Sequence, residues 1–217
     1  MKTNQDYKNE SLDALKGNWA PALLATAIFF VIEGLLSAPS MYHNLTQSAI
    51  TAAGTPALSP WATMDILYFF VTLPLALGYA NAMLLLLRGS DRNISENMFK
   101  LGFCPYWKKV WGMVLMNIYI FLWSLLFLIP GLIKAFSYAL TPYILNDNPD
   151  LSADEAIERS RAMMKGHKFD LFYLYLSFIG WFILSLMTLG IGLLWLTPYV
   201  EGAVASFYED RLEEWDF

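Results

Sequence analysis

Long apolar runs separated by short polar segments dominate the chain, and they determine the predicted fold. Most of these runs approach the twenty or so residues that an α-helix needs to cross a hydrocarbon layer about 30 Å thick. We therefore predict an all-α fold, a polytopic membrane helical bundle of about six transmembrane helices that forms one integral membrane domain over residues 1–217. The predicted spans are residues 19–38, 61–87, 110–129, 131–145, 171–189 and 192–208.

The fourth predicted span, residues 131–145, is short for a full crossing. Lys134 lies near its start and Pro142 near its end. A proline removes a helical hydrogen bond, and a charged residue is costly in lipid. A re-entrant segment or a locally thinned bilayer is therefore an alternative to a complete span.

A weak internal similarity relates the third and fourth spans to the last two. Ser124 precedes Gly131 by the same distance at which Ser185 precedes Gly192, and a Thr-Pro-Tyr triplet follows each glycine. Paired hairpins with proline-broken helices occur in transporters. The distance from glycine to proline differs between the copies by about a helical turn and one residue. The favoured interpretation is therefore chance similarity between apolar segments.

The polar connector before the fifth span predicts an amphipathic cytoplasmic helix over residues 152–165. Pro149 ends the preceding helix, Ser152 and Glu155 have the spacing of a capping box, and Gly166 provides a left-handed stop. An apolar helix face that ends in basic residues is typical of a surface that contacts lipid or a partner protein. The predicted contact surface consists of Ile157, Met163, Met164, Lys165, His167 and Lys168.

A second polar segment, residues 93–107, mixes basic and aromatic residues between two predicted spans. Nucleic-acid-binding proteins also have this composition. Between spans, however, it is more typical of an interfacial helix on anionic lipid. We therefore expect contacts with anionic headgroups and none with nucleic acid.

Composition excludes most soluble classes of protein. Hydrophobic residues make up 57% of the chain and charged residues only 15%, outside the usual range of soluble domains. The single cysteine, Cys104, excludes an internal disulfide. Because His43 and His167 fall on opposite faces of the predicted bundle, the sequence offers no zinc cluster.

The sequence contains no recognisable catalytic arrangement. Ser160, His167 and Asp170 lie close along the chain, but no nucleophile elbow or oxyanion glycine pattern accompanies them. We therefore predict a protein without enzymatic activity, and without catalytic residues, a metal or a cofactor.

Four charged residues inside the predicted spans are candidate functional residues, because ionisable groups in lipid are costly and usually paired. Glu33, Asp65 and Lys134 all fall in the outer third of the bilayer, where Lys134 is expected to pair with one or both acids. Glu201 falls near the middle of the last span, beyond the reach of any Lys or Arg. We expect a neutral, hydrogen-bonded carboxyl there, and a carrier of protons or cations is the alternative.

The distribution of basic residues predicts the orientation. With both termini in the cytoplasm, thirteen of the fourteen Lys and Arg residues lie on the inner side, and only Lys134 lies outside. The polar residues 1–17 lack the apolar core and the cleavage site of a removable signal peptide. The first span is therefore expected to act as an uncleaved anchor.

Several motifs resemble a known family. They are Ile129-Pro130-Gly131, Lys134-Ala135-Phe136-Ser137-Tyr138, Thr141-Pro142-Tyr143, Met164-Lys165-Gly166-His167-Lys168 and Thr188-Leu189-Gly190-Ile191-Gly192. Across nearly the whole chain, the sequence resembles the bacterial integral-membrane family known as domain of unknown function 975. The resemblance implies a multi-pass protein of the bacterial inner membrane, and it implies no mechanism.

Two functional hypotheses follow. The first is a non-enzymatic membrane adaptor or accessory protein. It would contact a membrane or cytoplasmic protein partner, or the anionic headgroups of the lipid bilayer, through the helix at residues 152–165. The alternative is a small transporter or channel that uses proline-broken helices and buried carboxyls.

Overall fold

The computed structural model describes residues 2–50 and 62–215, and within these ranges it leaves out the side chains of residues 40, 43–50 and 62–66. Every regular element in the described part of the chain is a helix, which confirms the predicted all-α fold. The helices are α1 (Asn4–Leu15), α2 (Trp19–Ile50), α3 (Ala62–Leu87), α4 (Ile94–Phe103), α5 (Tyr106–Leu126), α6 (Leu128–Tyr138), α7 (Thr141–Asp147), α8 (Ala153–Met163), α9 (Lys168–Leu176), α10 (Ile179–Met187) and α11 (Leu193–Trp215).

Five helical stretches in the described residues are long and apolar enough to cross a membrane, and they correspond in order to the first five predicted spans. They are Trp19–Pro39, Leu67–Leu87, Tyr106–Leu126, Leu128–Asp147 and Lys168–Met187. The sixth predicted span, residues 192–208, lies within α11. This continuous helix is not among the five, and most of its second half is buried.

Two of the five stretches are broken into shorter helices. α6 ends at Tyr138 and α7 begins at Thr141, with Pro142 in the first turn of α7, where its missing N–H removes no helical hydrogen bond. α9 and α10 are likewise separated at Ser177. The segment predicted as one span over residues 131–145 is therefore not one straight helix.

Two glycines bring α4 unusually close to α3. A Cβ atom on Gly78 would lie 1.9 Å from the carbonyl oxygen of Met98, and one on Gly102 would lie 2.3 Å from the carbonyl oxygen of Pro74. The helix predicted within residues 93–107 is therefore present, but its apolar side contacts α3. The interfacial contact with lipid stays a prediction for the exposed side of α4, where Phe99 is 40% exposed. The buried residues of α4 are Ile94, Asn97, Met98 and Gly102.

The N-terminal helix packs along the C-terminal helix. α1 buries Tyr7, Ser11 and Leu15, and the Ser11 hydroxyl donates to the carbonyl of Tyr199 in α11 at 2.8 Å. A Cβ atom on Gly202 would lie 2.3 Å from Ser11 Oγ, so glycine is needed for this approach. α1 and the second half of α11 therefore lie on the same side of the bundle.

The hydrophobic core lies on both sides of α3. Leu77 and Leu84 belong to a cluster with buried residues of α5, α7, α8, α9 and α11. Leu75 and Met83 belong to a second cluster with residues of α1, α2 and α4. α3 is therefore the central helix of the bundle.

The hairpins α5–α6 and α10–α11 share one packing detail. A Cβ atom on Gly131 would lie 2.1 Å from Ser124 Oγ, and one on Gly192 would lie 2.7 Å from Ser185 Oγ. Each serine hydroxyl donates to the carbonyl four residues earlier at 2.8 Å. The similarity between the two segments corresponds to an equivalent helix contact. The interpretation of chance similarity is not tested by this shared contact and stays a prediction.

Candidate functional site

α8 begins as its sequence predicts. The Ser152 N–H donates to the Glu155 carboxylate at 2.7 Å, and the Glu155 N–H donates to Ser152 Oγ at 3.3 Å, so the capping box is complete. Hydrogen bonds from the side chain and backbone of Ser152 lower the pKa of Glu155 below its ordinary value. The helix spans Ala153–Met163, slightly less than the predicted residues 152–165.

The apolar face of α8 is internal packing. Ile157 is 4% exposed, Met163 is 5% exposed and Met164 is fully buried. Between them, the Ser160 hydroxyl donates to the Ser137 carbonyl at 3.0 Å and accepts from a backbone N–H of the α6–α7 break at 3.2 Å. The predicted contact surface is therefore wrong for its three apolar members, because the break in the neighbouring segment uses this face.

The basic end of the predicted contact surface lies beside the end of α11. Lys165 is exposed, whereas His167 and Lys168 are half-buried. His167 Nδ1 lies 2.9 Å from the Asp170 carboxylate and 2.9 Å from the Arg211 guanidinium. These neighbours compete for one ring nitrogen, because a carboxylate needs a protonated nitrogen and a guanidinium needs an unprotonated one. Of the three basic residues, Lys165 is the one most open to solvent.

The arrangement expected of a serine hydrolase is not formed. The Ser160 hydroxyl is hydrogen-bonded to the backbone of α6, and His167 contacts Asp170 and Arg211, so the structure does not join Ser160 to His167. Within the described residues, no group of three or more His, Cys, Asp and Glu side chains is placed to hold a metal ion.

Of the predicted intramembrane charge cluster, the structure describes the side chains of Glu33 and Lys134 and does not join them. Glu33 is half-buried on α2 and acts electrostatically on Tyr68. The side chain of Asp65 lies outside the described residues. Among the described side chains no ion pair joins Lys134 to Glu33; the Lys134 ammonium lies instead 4.4 Å from the centre of the Trp123 ring. The predicted pairing of Lys134 with Glu33 is therefore wrong.

Lys134 lines a cavity of about 290 Å³ between α5, α6 and α8. Its residues are Tyr119, Trp123, Lys134, Tyr138, Asp154, Ile157, Glu158 and Arg161. The ammonium also lies 5.8 Å from the centre of the Tyr138 ring. Lys134 therefore lies beside α8, while its predicted location in the outer third of the bilayer stays a prediction.

Two cations, Lys134 and Arg161, and two carboxylates, Asp154 and Glu158, line the cavity. The charged groups that act on it are those of Arg161 and Lys168. The carboxylate of Asp154 accepts a hydrogen bond from a tyrosine of α5 at 2.8 Å. Glu158 pairs with Arg161 at 2.9 Å, but its side chain is 73% exposed and lies at the rim. Cations beside a tryptophan are the side chains that contact lipid phosphate at a membrane interface.

Sequence reasoning missed an ion network at the polar end of the bundle. Arg88, which follows α3, donates to Asp147 of α7 at 2.6 and 3.0 Å and to Glu209 of α11 at 2.7 Å. Burial lowers the pKa of Arg88, but the two carboxylates raise it by more, so that it lies above its ordinary value. The three residues are far apart in sequence, so no local motif indicates the network.

A second ion network joins α1 to α11. The buried Tyr7 hydroxyl donates to the Asp210 carboxylate at 2.7 Å. Arg211, which is 2% exposed, pairs with Asp210 and Glu214. Burial raises the pKa of Asp210, but hydrogen bonds from Tyr7 and Arg211 lower it by more, so that it lies below its ordinary value.

A third polar region lies inside the bundle. Glu201 is half-buried in α11. The Asn81 amide nitrogen donates to the Pro142 carbonyl at 3.0 Å, whereas Asn81 Oδ1 and Thr141 Oγ1 are buried without a hydrogen-bond partner among the described residues. The tyrosines within electrostatic reach of Glu201 are Tyr79, Tyr143 and Tyr175.

Comparisons with known proteins identify the chain at the level of the family. No curated protein and no solved structure matches it. The model of one family matches residues 1–141 and also residues 125–214, which together cover nearly the whole chain. The match confirms the resemblance carried by the sequence motifs. The chain therefore belongs to this family, which is described as a protein of unknown function (DUF975).

Proposed function

We propose that this is a non-enzymatic integral membrane protein that binds anionic phospholipid headgroups at the cytoplasmic face of the bacterial inner membrane. The cavity beside α8, which we name the headgroup cavity, carries the proposal, because Lys134 and Arg161 line it together with Trp123. Lys134 has no carboxylate partner among the described side chains, and a lipid phosphate supplies that counter-charge. Trp123 fits such a site because the amphipathic ring of tryptophan prefers the headgroup region of a bilayer.

The surface next to the cavity fits the rest of a phospholipid. Along α6, Leu132 is 53% exposed and Ile133 is 47% exposed, directly before Lys134 in the chain. An acyl chain can lie along these side chains while its phosphate contacts the ammonium. Arg161 on the exposed face of α8 and Lys165, which follows α8, add two exposed cations nearby. Thus α8 would contact headgroups through its polar face and not through its buried apolar face.

The proposed orientation has both termini in the cytoplasm. α1 and the end of α11 contact each other through Tyr7 and Asp210, which supports a common side for both termini. Lys134 lies beside α8, so all fourteen Lys and Arg residues then face the cytoplasm. The sequence alone assigned thirteen of the fourteen basic residues to the cytoplasmic side. Because positive residues favour that side, the larger number supports this orientation.

The proposal is tested by lipid-dependent stability in nanodiscs. Phosphatidylglycerol, added to a phosphatidylcholine bilayer, should raise the melting temperature of the wild-type protein. The double variant Lys134→Gln/Arg161→Gln should lose most of this gain, because each basic residue near the surface contributes about 1 kcal/mol of attraction to anionic lipid. Arg92→Gln removes an exposed cation outside the cavity and is the matched control. If Arg92→Gln lost as much of the lipid-dependent rise in melting temperature as the double variant, a specific binding site in the cavity would be refuted.

A second candidate function is transport of protons or small cations. The observation in its favour is a set of buried polar groups. Asn81 Oδ1 and Thr141 Oγ1 have no hydrogen-bond partner among the described residues, and Glu201 acts electrostatically on Tyr143. Oxygen atoms of this kind are the ligands of hard cations. In proteoliposomes with a trapped pH-sensitive dye, flux should disappear in Glu201→Gln and persist in Glu213→Gln, an exposed control. Wild-type vesicles that carry no flux under a proton or sodium gradient would eliminate this function.

A further inference from the structure

The turn between α10 and α11 is apolar and strongly exposed. Met187 is 77% exposed, Leu189 is 95% exposed and Ile191 is 60% exposed. A hairpin that crosses a bilayer ends in water, where its turn residues are usually polar. This turn contains no charged residue. Its composition therefore fits a hydrocarbon environment.

The backbone of this turn needs no water. Every N–H from residue 188 to residue 196 donates to an acceptor within residues 185–192. The Thr188 hydroxyl completes the set, because it accepts from the Gly192 N–H at 3.0 Å and donates to the Ser185 carbonyl at 2.7 Å. Lipid tolerates exposed backbone only when its polar groups are satisfied internally, and the N–H groups of this turn meet that requirement.

The base of the hairpin lies beside the polar helix α1. Lys8 donates to the carbonyl of Ser177 at 2.9 Å and lies 4.4 Å from the centre of the Phe178 ring. On the other arm, Ser11 donates to the Tyr199 carbonyl. α1 exposes the charged residues Asp13 and Lys16 to its surroundings, so it lies outside the hydrocarbon layer. The hairpin therefore enters the membrane at about the level of Phe178 and Tyr199.

The length of the two arms gives the depth of the turn. α10 has nine residues, which rise about 14 Å at 1.5 Å per residue. The arm from Tyr199 back to Gly192 rises about 10 Å. The hydrocarbon layer is about 30 Å thick. The turn thus reaches roughly the middle of the bilayer and not the opposite surface.

We propose that the α10–α11 hairpin is a half-depth wedge whose turn ends inside the hydrocarbon layer, in contact with the acyl chains of one leaflet. We extend the proposal to the α5–α6 hairpin, which has the equivalent contact of Ser124 and Gly131. Its turn exposes Phe127 by 76% and Leu128 by 72%. This inference rests on the turns and on α1, and it is independent of the headgroup cavity.

Cysteine accessibility tests the proposal in the Cys104→Ser background, since Cys104 is an exposed thiol. Met187→Cys and Leu128→Cys are placed at the two turns, with Ile191→Cys as a second position for the α10–α11 turn. Asp13→Cys on the exposed side of α1 is the aqueous control. A charged, membrane-impermeant maleimide is applied to right-side-out and inverted vesicles, and detergent-solubilised protein gives the full labelling of each folded variant.

We expect Asp13→Cys to be labelled from one side only, and the turn positions to remain unlabelled from both sides until detergent is added. A nitroxide on the same turn positions should show high accessibility to oxygen and low accessibility to a nickel chelate, as expected near the bilayer centre. Labelling of the turns from the side opposite Asp13→Cys would show a complete crossing and overturn the proposal. Disulfide formation between turns of two chains, with low oxygen accessibility, would show contact between two copies and overturn it equally.

Discussion

A single methyl group at Gly78 should separate the central helix from α4. In Gly78→Ala the new Cβ atom would lie 1.9 Å from the Met98 carbonyl oxygen, and 2.8 and 2.9 Å from the backbone N and Cα of Gly102. All three neighbours are backbone atoms, so no side-chain rotation relieves the overlap. The two helices must move apart by more than an ångström along their closest contact.

The expected change in the free energy of unfolding of Gly78→Ala follows from two opposing effects. Overpacking of a core costs typically about 1–3 kcal/mol, and a clash with backbone belongs at the upper end of that range. Alanine is favoured over glycine inside a helix by about 1 kcal/mol, which offsets part of this cost. We expect a net loss of about 2 kcal/mol in the free energy of unfolding. For a chain of this size that loss lowers the melting temperature by about 4–8 °C.

The assay is thermal unfolding in a mild detergent, measured as the loss of the monodisperse peak on size-exclusion chromatography after heating. Gly180→Ala is the matched control, because it also lies inside a helix and its Cβ atom would meet nothing within 4 Å. The control should be as stable as the wild type or slightly more stable. Equal melting temperatures for Gly78→Ala and Gly180→Ala would refute the close approach of α3 and α4.

Three further predictions concern other contacts. Ile157→Ser should destabilise the protein by about 3 kcal/mol, the cost of removing a buried aliphatic side chain, whereas Glu158→Ser on the exposed face of α8 should have little effect in the same thermal assay. Gly202→Ala should be destabilising because its Cβ atom would lie 2.3 Å from Ser11 Oγ, and the added change Ser11→Ala should recover part of the melting temperature; no recovery would locate the clash elsewhere. The lowered pKa of Asp210 means that its contribution to stability is complete above the ordinary Asp pKa of about 3.9 and is lost as pH falls through the lower folded value. Asp210→Asn should therefore be less stable than the wild type at pH 7 and should show a flatter fall in melting temperature below pH 4; parallel acid profiles would contradict this assignment.

Local signals in the sequence were sufficient where the partners are neighbours in the chain. Ser152 and Glu155 form the predicted capping box, and Gly166 has the positive φ of 94° that a left-handed stop requires. The apolar stretches likewise depend only on composition over about twenty residues. Each of these features is determined by residues that are close to one another in the sequence.

Contacts between distant helices could not be derived in the same way. Arg88, Asp147 and Glu209 meet because three helix ends converge, and nothing in the immediate neighbourhood of any of them specifies the other two. The same holds for Gly78 and Gly102. The need for glycine at these two positions follows only from the backbone atoms of the opposite helix that a Cβ atom would meet. A glycine in an apolar helix indicates close packing, but it does not indicate which helix packs against it.

The errors at α8 and at Lys134 have one physical cause. The prediction for Lys134 treated residues 131–145 as one helical span, with a re-entrant segment as the alternative, and the prediction for α8 considered no contact with this segment. α6 instead stops at Tyr138, and the break before α7 leaves the Ser137 carbonyl and a backbone N–H for Ser160 to satisfy. A buried break requires such a partner, because an unpaired backbone group away from water is costly. α8 therefore turns its apolar face inward to cover the break. The same contact places α8 beside the preceding turns of α6, so Lys134 lies beside α8 and not beside Glu33.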